Sequence, residues 1–250
     1  MTITQAFILL GAGFLASLVS TIASVASVVS YPVLLALGLP PLAANVTNTM
    51  ALVFTGAGSV LGSRPELTGQ RARVLRLAAV TASGGAIGAG ILLLAPASAF
   101  GVVVPILIGG ASVVLLIQPR LRRLAPVPGA ERSWSRHAAV FAVSMYTGYF
   151  GAAGGVLVLA VLCTMLMEPL VRINAVKNAI TGAANGLAAI LFALFAPVHW
   201  AYVPILAVGF LAGGFLGPKV IRRLPVAPLR VFIAVVGLAL AVKLGWSAYR

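Results

Sequence analysis

Asn174, Asn178, Thr181 and Asn185 are spaced four, three and four residues apart, so on a helix they share one face. Lys177 stands among them, in an otherwise uncharged apolar run that begins after Arg172. Asn45, Asn48, Thr55 and Ser59 form a comparable stripe earlier in the chain. Amides and hydroxyls in apolar helices are costly unless they find partners. Two uses fit them: hydrogen bonds between helices, or a lining that replaces the hydration shell of an oxyanion. Lys177 likewise has two readings. It either reaches along its stem to the membrane interface, or brings positive charge to an anion.

Two small-residue segments suggest where an anion would meet backbone. One runs from Ser20 to Pro32 and contains Ser24 and Ser27; the other runs from Thr147 to Gly155 and contains Gly151, Gly154 and Gly155. Each interrupts an apolar stretch, residues 5–39 in the first case and 138–167 in the second. Small residues allow close approach of a ligand to backbone. A helix starting at such a break points its N–H groups, and a partial positive charge, into the interior. The other use of small residues is close helix packing. Each interrupted stretch suits two helices of about 15 residues better than two full spans of about 20.

The elements carrying these residues occur twice. Gly84, Gly85 and Gly88 recur as Gly213, Gly214 and Gly217, and Ala95-Pro96 recurs as Leu224-Pro225, a constant offset (213 − 84 = 129). Thr47-Asn48 recurs as Lys177-Asn178, one residue further on. A near-constant offset along the chain means a duplicated unit. The expected units are residues 1–117 and 136–250, joined by a polar, arginine- and proline-rich linker at 118–135. Five helical segments per half are expected, about eight to ten of them transmembrane or half-membrane.

Composition decides the class. The chain is 61% hydrophobic and 8% charged, with mean hydropathy +1.13. Three acidic residues in 250 could not keep such a chain dispersed in water. The expected fold is therefore an all-α polytopic membrane protein. The net charge of +14 would suggest nucleic acid in a soluble domain. Here the basic residues sit mostly in short loops, so no nucleic-acid partner is expected.

Those loops orient the halves. Arg64, Arg71, Arg73 and Arg76 follow the third apolar segment, whereas the equivalent loop at Pro197–Trp200 has no arginine or lysine. The Ala95–Ser98 loop has none, and its partner holds Lys219, Arg222, Arg223 and Arg230. Placing basic loops inside makes the two copies an inverted repeat. The linker then lies in the cytoplasm and both termini outside. Trp200, Tyr202, Trp246 and Tyr249 fall near outer ends, as an aromatic belt would.

Glu66, Glu131 and Glu168 all lie in or beside loops, so no carboxylate is expected in mid-membrane for catalysis or proton coupling. Cys163 is the single cysteine, His137 and His199 lie at segment ends, and no metal cluster, Walker loop or nucleophile elbow is present. No enzyme activity, catalytic residue, cofactor or metal is expected.

Gly148-Tyr149-Phe150-Gly151-Ala152-Ala153-Gly154-Gly155, followed by an apolar run and Arg172-Ile173-Asn174-Ala175-Val176-Lys177-Asn178, resembles the TauE/SafE family of sulfite-exporter-like permeases. Tyr31-Pro32, Leu37-Gly38-Leu39-Pro40 and Ala44-Asn45-Val46-Thr47-Asn48-Thr49 fit that family's first repeat. Ser24, Ala26 and Ser27 stand where its first half usually has glycines. The resemblance covers nearly the whole chain. It implies transport of sulfite, sulfoacetate or another small organosulfonate or carboxylate.

The sequence thus predicts a multi-pass permease of the cell membrane for a small anion. The competing expectations are a non-transporting assembly subunit and an anion channel. Expected partners are the anion and the bilayer, with homo-oligomerisation left open. The candidate binding residues are Ser24, Ser27, Asn45, Thr47, Asn48, Gly151, Gly154, Gly155, Asn174, Lys177, Asn178 and Asn185.

Overall fold

The structure, a computed structural model, describes residues 2–121, 123, 124, 126, 129–220 and 226–248. Leu224-Pro225, Arg222, Arg223 and Tyr249, all used above, lie outside the described residues, as does the side chain of Arg230. No strand occurs among the described residues.

Apolar runs form the helices, some with an internal proline (Pro32, Pro105, Pro119 and Pro218), and left-handed residues or helix-opening prolines divide them. α1 (Ile3–Ala23) starts at a capping box between Thr2 and Gln5 and ends at Ser24, whose φ is 64°. α2 (Ala26–Ala36) follows immediately. Pro41 opens α3 (Pro41–Gly62), and a single turn, α4 (Arg64–Leu67), leads to α5 (Arg71–Leu94) and α6 (Ala97–Leu121). The linker adds one 3-10 turn at Ala130–Arg132. The second half is α7 (Trp134–Tyr149), α8 (Gly154–Met165), α9 (Leu170–Phe195), α10 (Val203–Val220) and α11 (Val226–Ala248). Leaving out the single turn α4, each half contributes five helices among the described residues.

The interrupted stretches do not divide evenly. α1 has 21 residues and α2 has 11, while α7 has 16 and α8 has 12. The expectation of two helices near 15 residues fails for α1, because nothing breaks its apolar run before Ser24. Both stretches are hairpins. Arg136 of α7 bonds Thr164 at the far end of α8, while Thr147 meets Gly154 at the turn. In the first half, Ser30 and Tyr31 of α2 bond Asn48 and Pro41 of α3, so α2 runs back against α3.

Contacts at the duplicated glycines show how the halves interlock. Gly84 and Gly88 of α5 lie on Phe141 and Met145 of α7, and Gly85 lies on Ala184 of α9. Gly213 and Gly217 of α10 lie on Phe14 and Thr21 of α1, and Gly214 lies on Thr55 of α3. Each half's glycine helix therefore packs on the other half. A Cβ on Gly88 would sit 1.9 Å from the Met145 carbonyl oxygen, so these helices touch backbone to backbone.

The same contacts fix direction. α1 and α10 run parallel, because residue pairs 13/206 and 17/213 advance together. α3 runs with α10 through 58/211 and 62/215. α5, α7 and α9 form a second parallel set through 84/141, 88/145, 81/180 and 85/184. The two sets oppose one another. Arg172 at the start of α9 bonds the Thr68 carbonyl beyond the end of α3, Gly56 meets Gly182 midway, and the Thr47 hydroxyl near the start of α3 accepts from the His199 N–H. α3 and α9 are repeat counterparts and run antiparallel; so do α6 and α11, through 109/241 and 112/237. Counterpart helices thus run in opposite directions, as the loop charges predict for an inverted repeat.

Polarity is inside out relative to a soluble protein. Phe7, Leu94, Leu194, Phe195 and Val242 are exposed, while Ser17, Ser30, Asn48, Thr81 and Lys177 are buried. Four described helices, α1, α5, α6 and α9, contain stretches long and apolar enough to cross a bilayer. Trp200 and Trp246 are exposed, but Tyr202 is buried with its ring 4.3 Å from that of His199, which removes it from the expected aromatic belt.

Candidate functional site

The two hairpin turns meet near the crossing of α3 and α9. A Cβ on Gly155, at the start of α8, would lie 3.0 Å from both Cβ and the carbonyl oxygen of Ser24, at the end of α1. Each turn holds a non-glycine residue in the left-handed region, Ser24 at φ 64° and Ala153 at φ 57°, again 129 apart (153 − 24). Such a conformation is costly and persists only where the surroundings impose it. Tyr146 helps by donating its hydroxyl to the Ala152 carbonyl at 2.7 Å.

Asn45 and Asn174 hold these turns. Asn45 Nδ2 donates to the carbonyl of Tyr149, the last residue of α7, at 3.0 Å. Asn174 Nδ2 donates to the carbonyl of Thr21, in the last turn of α1, also at 3.0 Å. The last carbonyls of a helix have no intrahelical donor, and a bilayer supplies no water in compensation. Each repeat thus caps the broken helix of the other. These two amides are engaged in the framework, and neither lines the cavity described next.

Between the turns lies a cavity of about 40 Å³. Ser24, Ser27, Gly151, Gly155, Lys177 and Asn185 line it, bringing half of the candidate set together from the α1–α2 turn, α2, the α7–α8 turn, α8 and α9. By the same measure one water needs ~10–15 Å³, so the space matches a small oxyanion head or about three waters. Lys177 is 1% exposed, and its ammonium donates to Ser24 Oγ at 2.8 Å. The side chain turns into the protein and does not reach for the interface. α2 and α8 both begin here, through Ala26, Ser27 and Gly155. Their first N–H groups lack intrahelical acceptors, and both dipoles present their positive ends. Two helix starts and one ammonium make a cavity suited to negative charge.

The other candidates sit elsewhere. Asn48 is engaged at both ends of its amide, accepting from Ser30 at 2.6 Å and donating to Ser27 at 3.1 Å. Thr47 accepts the His199 N–H at 2.9 Å. Gly154 packs on Thr147 Oγ1, where any side chain would collide. Asn178 lines an adjoining cavity. Ser20, Leu52, Thr147 and Thr181, outside the binding set expected from the sequence, also line the central cavity. Thr181 lay on the recognised polar stripe, and Ser20 and Thr147 mark the ends of the small-residue segments. Leu52 carried no signal.

The three carboxylates lie where the linker, the α3–α5 connection and the α8–α9 turn come together. Glu131 pairs with Arg73 and Arg76, both at 2.9 Å, and Glu168 pairs with Arg73 at 3.1 Å and Arg172 at 2.8 Å. Glu66 offers its backbone carbonyl to Arg172 at 3.2 Å. The Arg73 guanidinium holds the Glu131 carboxyl below the usual carboxylate range. No group of three or more potential metal ligands occurs among the described residues.

No curated protein and no solved structure matches the chain. Residues 9–244 match the family described as Sulfite exporter TauE/SafE. With nearly the whole chain matched, and an all-helical fold whose broken helices meet over a polar cavity, the protein belongs to the TauE/SafE sulfite exporter family of membrane permeases.

Proposed function

We propose that the protein is a secondary transporter that binds a small anion between the two hairpin turns and exposes it alternately to the two sides of the membrane. The observation that carries this reading is the joint start of α2 and α8 at one cavity walled by Lys177. Charge from an ammonium and two helix starts favours an oxyanion. Backbone N–H groups, Ser24 and Ser27 hydroxyls and the Asn185 amide replace its hydration shell. Sulfite, sulfoacetate or a related sulfonate or carboxylate is the substrate class that family membership supports. The linker faces the cytoplasm and both termini face outward, since that orientation puts the basic loops inside. No catalytic step is assigned to the chain.

Sulfite counterflow in proteoliposomes, with sulfoacetate and sulfate as competitors, tests the reading. Saturable exchange that competitors suppress is expected. Flux that neither saturates nor shows counterflow would make the protein a channel. Absence of flux for all three anions, together with a stable co-purifying subunit, would replace transport by an assembly role.

A further inference from the structure

Beside the central cavity lies an annex of about 30 Å³, which shares Ser20, Leu52, Thr181 and Asn185 with it. Its remaining wall comprises Thr55, Gly56 and Ser59 of α3 and Asn178 and Gly182 of α9. No charged side chain lines it. Two of its groups are buried and idle: Ser59 Oγ and Asn178 Nδ2 have no hydrogen-bond partner among the described residues. Ser59 is 0% and Asn178 6% exposed.

The idle amide follows from the sequence. Its counterpart in the first half, Asn48, is held by Ser27 and Ser30. At the offset of 129 that pairs Ser24 with Ala153, those serines correspond to Val156 and Leu159, which have no side-chain oxygen (156 − 27 = 129; 159 − 30 = 129). The duplication has therefore diverged so that one asparagine is locked and the other faces a cavity. A buried amide N–H without an acceptor costs about 1–3 kcal/mol, so an occupant that supplies an acceptor is favoured.

We propose that the annex receives the far end of the transported anion, and that this end carries a neutral hydroxyl or carbonyl oxygen. The proposal rests on the anion site of the preceding section. The charged head sits at Lys177 and the helix starts, and the tail oxygen accepts from Asn178 and Ser59. A second charge in the annex would be buried with no countercharge in its wall. A purely apolar tail would leave both polar groups unpaired. The substrate class is thus a short organic sulfonate or carboxylate with a neutral oxygen at its far end, longer than an inorganic oxyanion.

Calorimetric titration of the detergent-purified protein tests this with sulfite, ethanesulfonate and 2-hydroxyethanesulfonate. The two sulfonates differ by one terminal hydroxyl. The hydroxylated anion should bind about tenfold more tightly, the ratio expected for one hydrogen bond to otherwise unpaired groups. Asn178→Leu and the milder Ser59→Ala should each cut that preference to below about threefold while ethanesulfonate still binds. Size-exclusion profiles identify a variant that fails to fold, in which case the other decides. Equal binding of the two sulfonates by the wild type, or a preference that survives in a folded variant, overturns the annex assignment and leaves the anion site standing. Failure of all three anions to bind overturns both.

Discussion

Replacing Lys177 by Gln removes one positive charge from the central cavity and keeps a donor for Ser24. The cavity is about 40 Å³, so any anion inside it is close to the ammonium in its wall. Taking about 5 Å between charges and an effective dielectric of ~20, Coulomb's law gives about 3 kcal/mol. That corresponds to a loss of affinity on the order of 100-fold. Lys177→Arg keeps the charge on a longer, planar head and should lose less than about tenfold. Both variants are to be purified, shown to be monodisperse, and titrated with sulfite and an organosulfonate by calorimetry, then reconstituted for counterflow. Expected is a steep loss of binding and exchange in the Gln variant with substantial retention in the Arg variant. A folded Gln variant that binds within about threefold of wild type would refute the argument, because a charge at that distance could not be so well screened beside a lysine that is only 1% exposed. Equal losses in both variants would assign Lys177 a steric role instead.

Three further outcomes follow from the framework. Asn45→Leu and Asn174→Leu each leave a part-buried helix-end carbonyl without its donor, and each should cost about 1–3 kcal/mol, read as the unfolding midpoint in mixed micelles. Gly148→Ala would place a Cβ 2.0 Å from the Gly85 carbonyl oxygen, so it should abolish monodisperse protein, whereas Gly186→Ala, with open space around it, should be tolerated by the same size-exclusion assay. The Glu131 carboxyl is held below its ordinary value of 4.5, so the linker contact is complete above that pH and is lost as pH falls through the lowered value. Protection factors of residues 129–134, corrected for the intrinsic pH dependence of exchange, should fall on acidification, and at neutral pH in Glu131→Gln. The side chain is 32% exposed, so the effect on global unfolding should stay below about 1 kcal/mol.

Much of this protein was legible in its residues one by one. Composition fixes an all-helical membrane chain, because apolar runs without carboxylates have no other stable solvent. The constant offset reveals the duplication, and the swapped arginine loops give its inverted sense, because loop charge is read locally during insertion. The same local logic places the breaks within Ser20–Pro32 and Thr147–Gly155, whereas the meeting of Ser24, Ser27, Gly151, Gly155, Lys177 and Asn185 at one cavity belongs to the folded chain.

Tertiary structure decided how the polar groups divide their labour. Asn45 and Asn174 have the same chemistry as Asn178 and lie on the same faces, yet they cap helix ends across the repeat boundary. Which carbonyl an amide meets depends on helices far apart in sequence, and no periodicity encodes it. The inward course of Lys177 was likewise undetermined, since a lysine stem suits both an interface and a buried turn. The exchange of glycine helices between halves, Gly84 on α7 and Gly213 on α1, also emerged only in three dimensions. Sequence repeats mark units of duplication, but close packing joins whichever small-residue faces can approach, and here those faces belong to opposite halves.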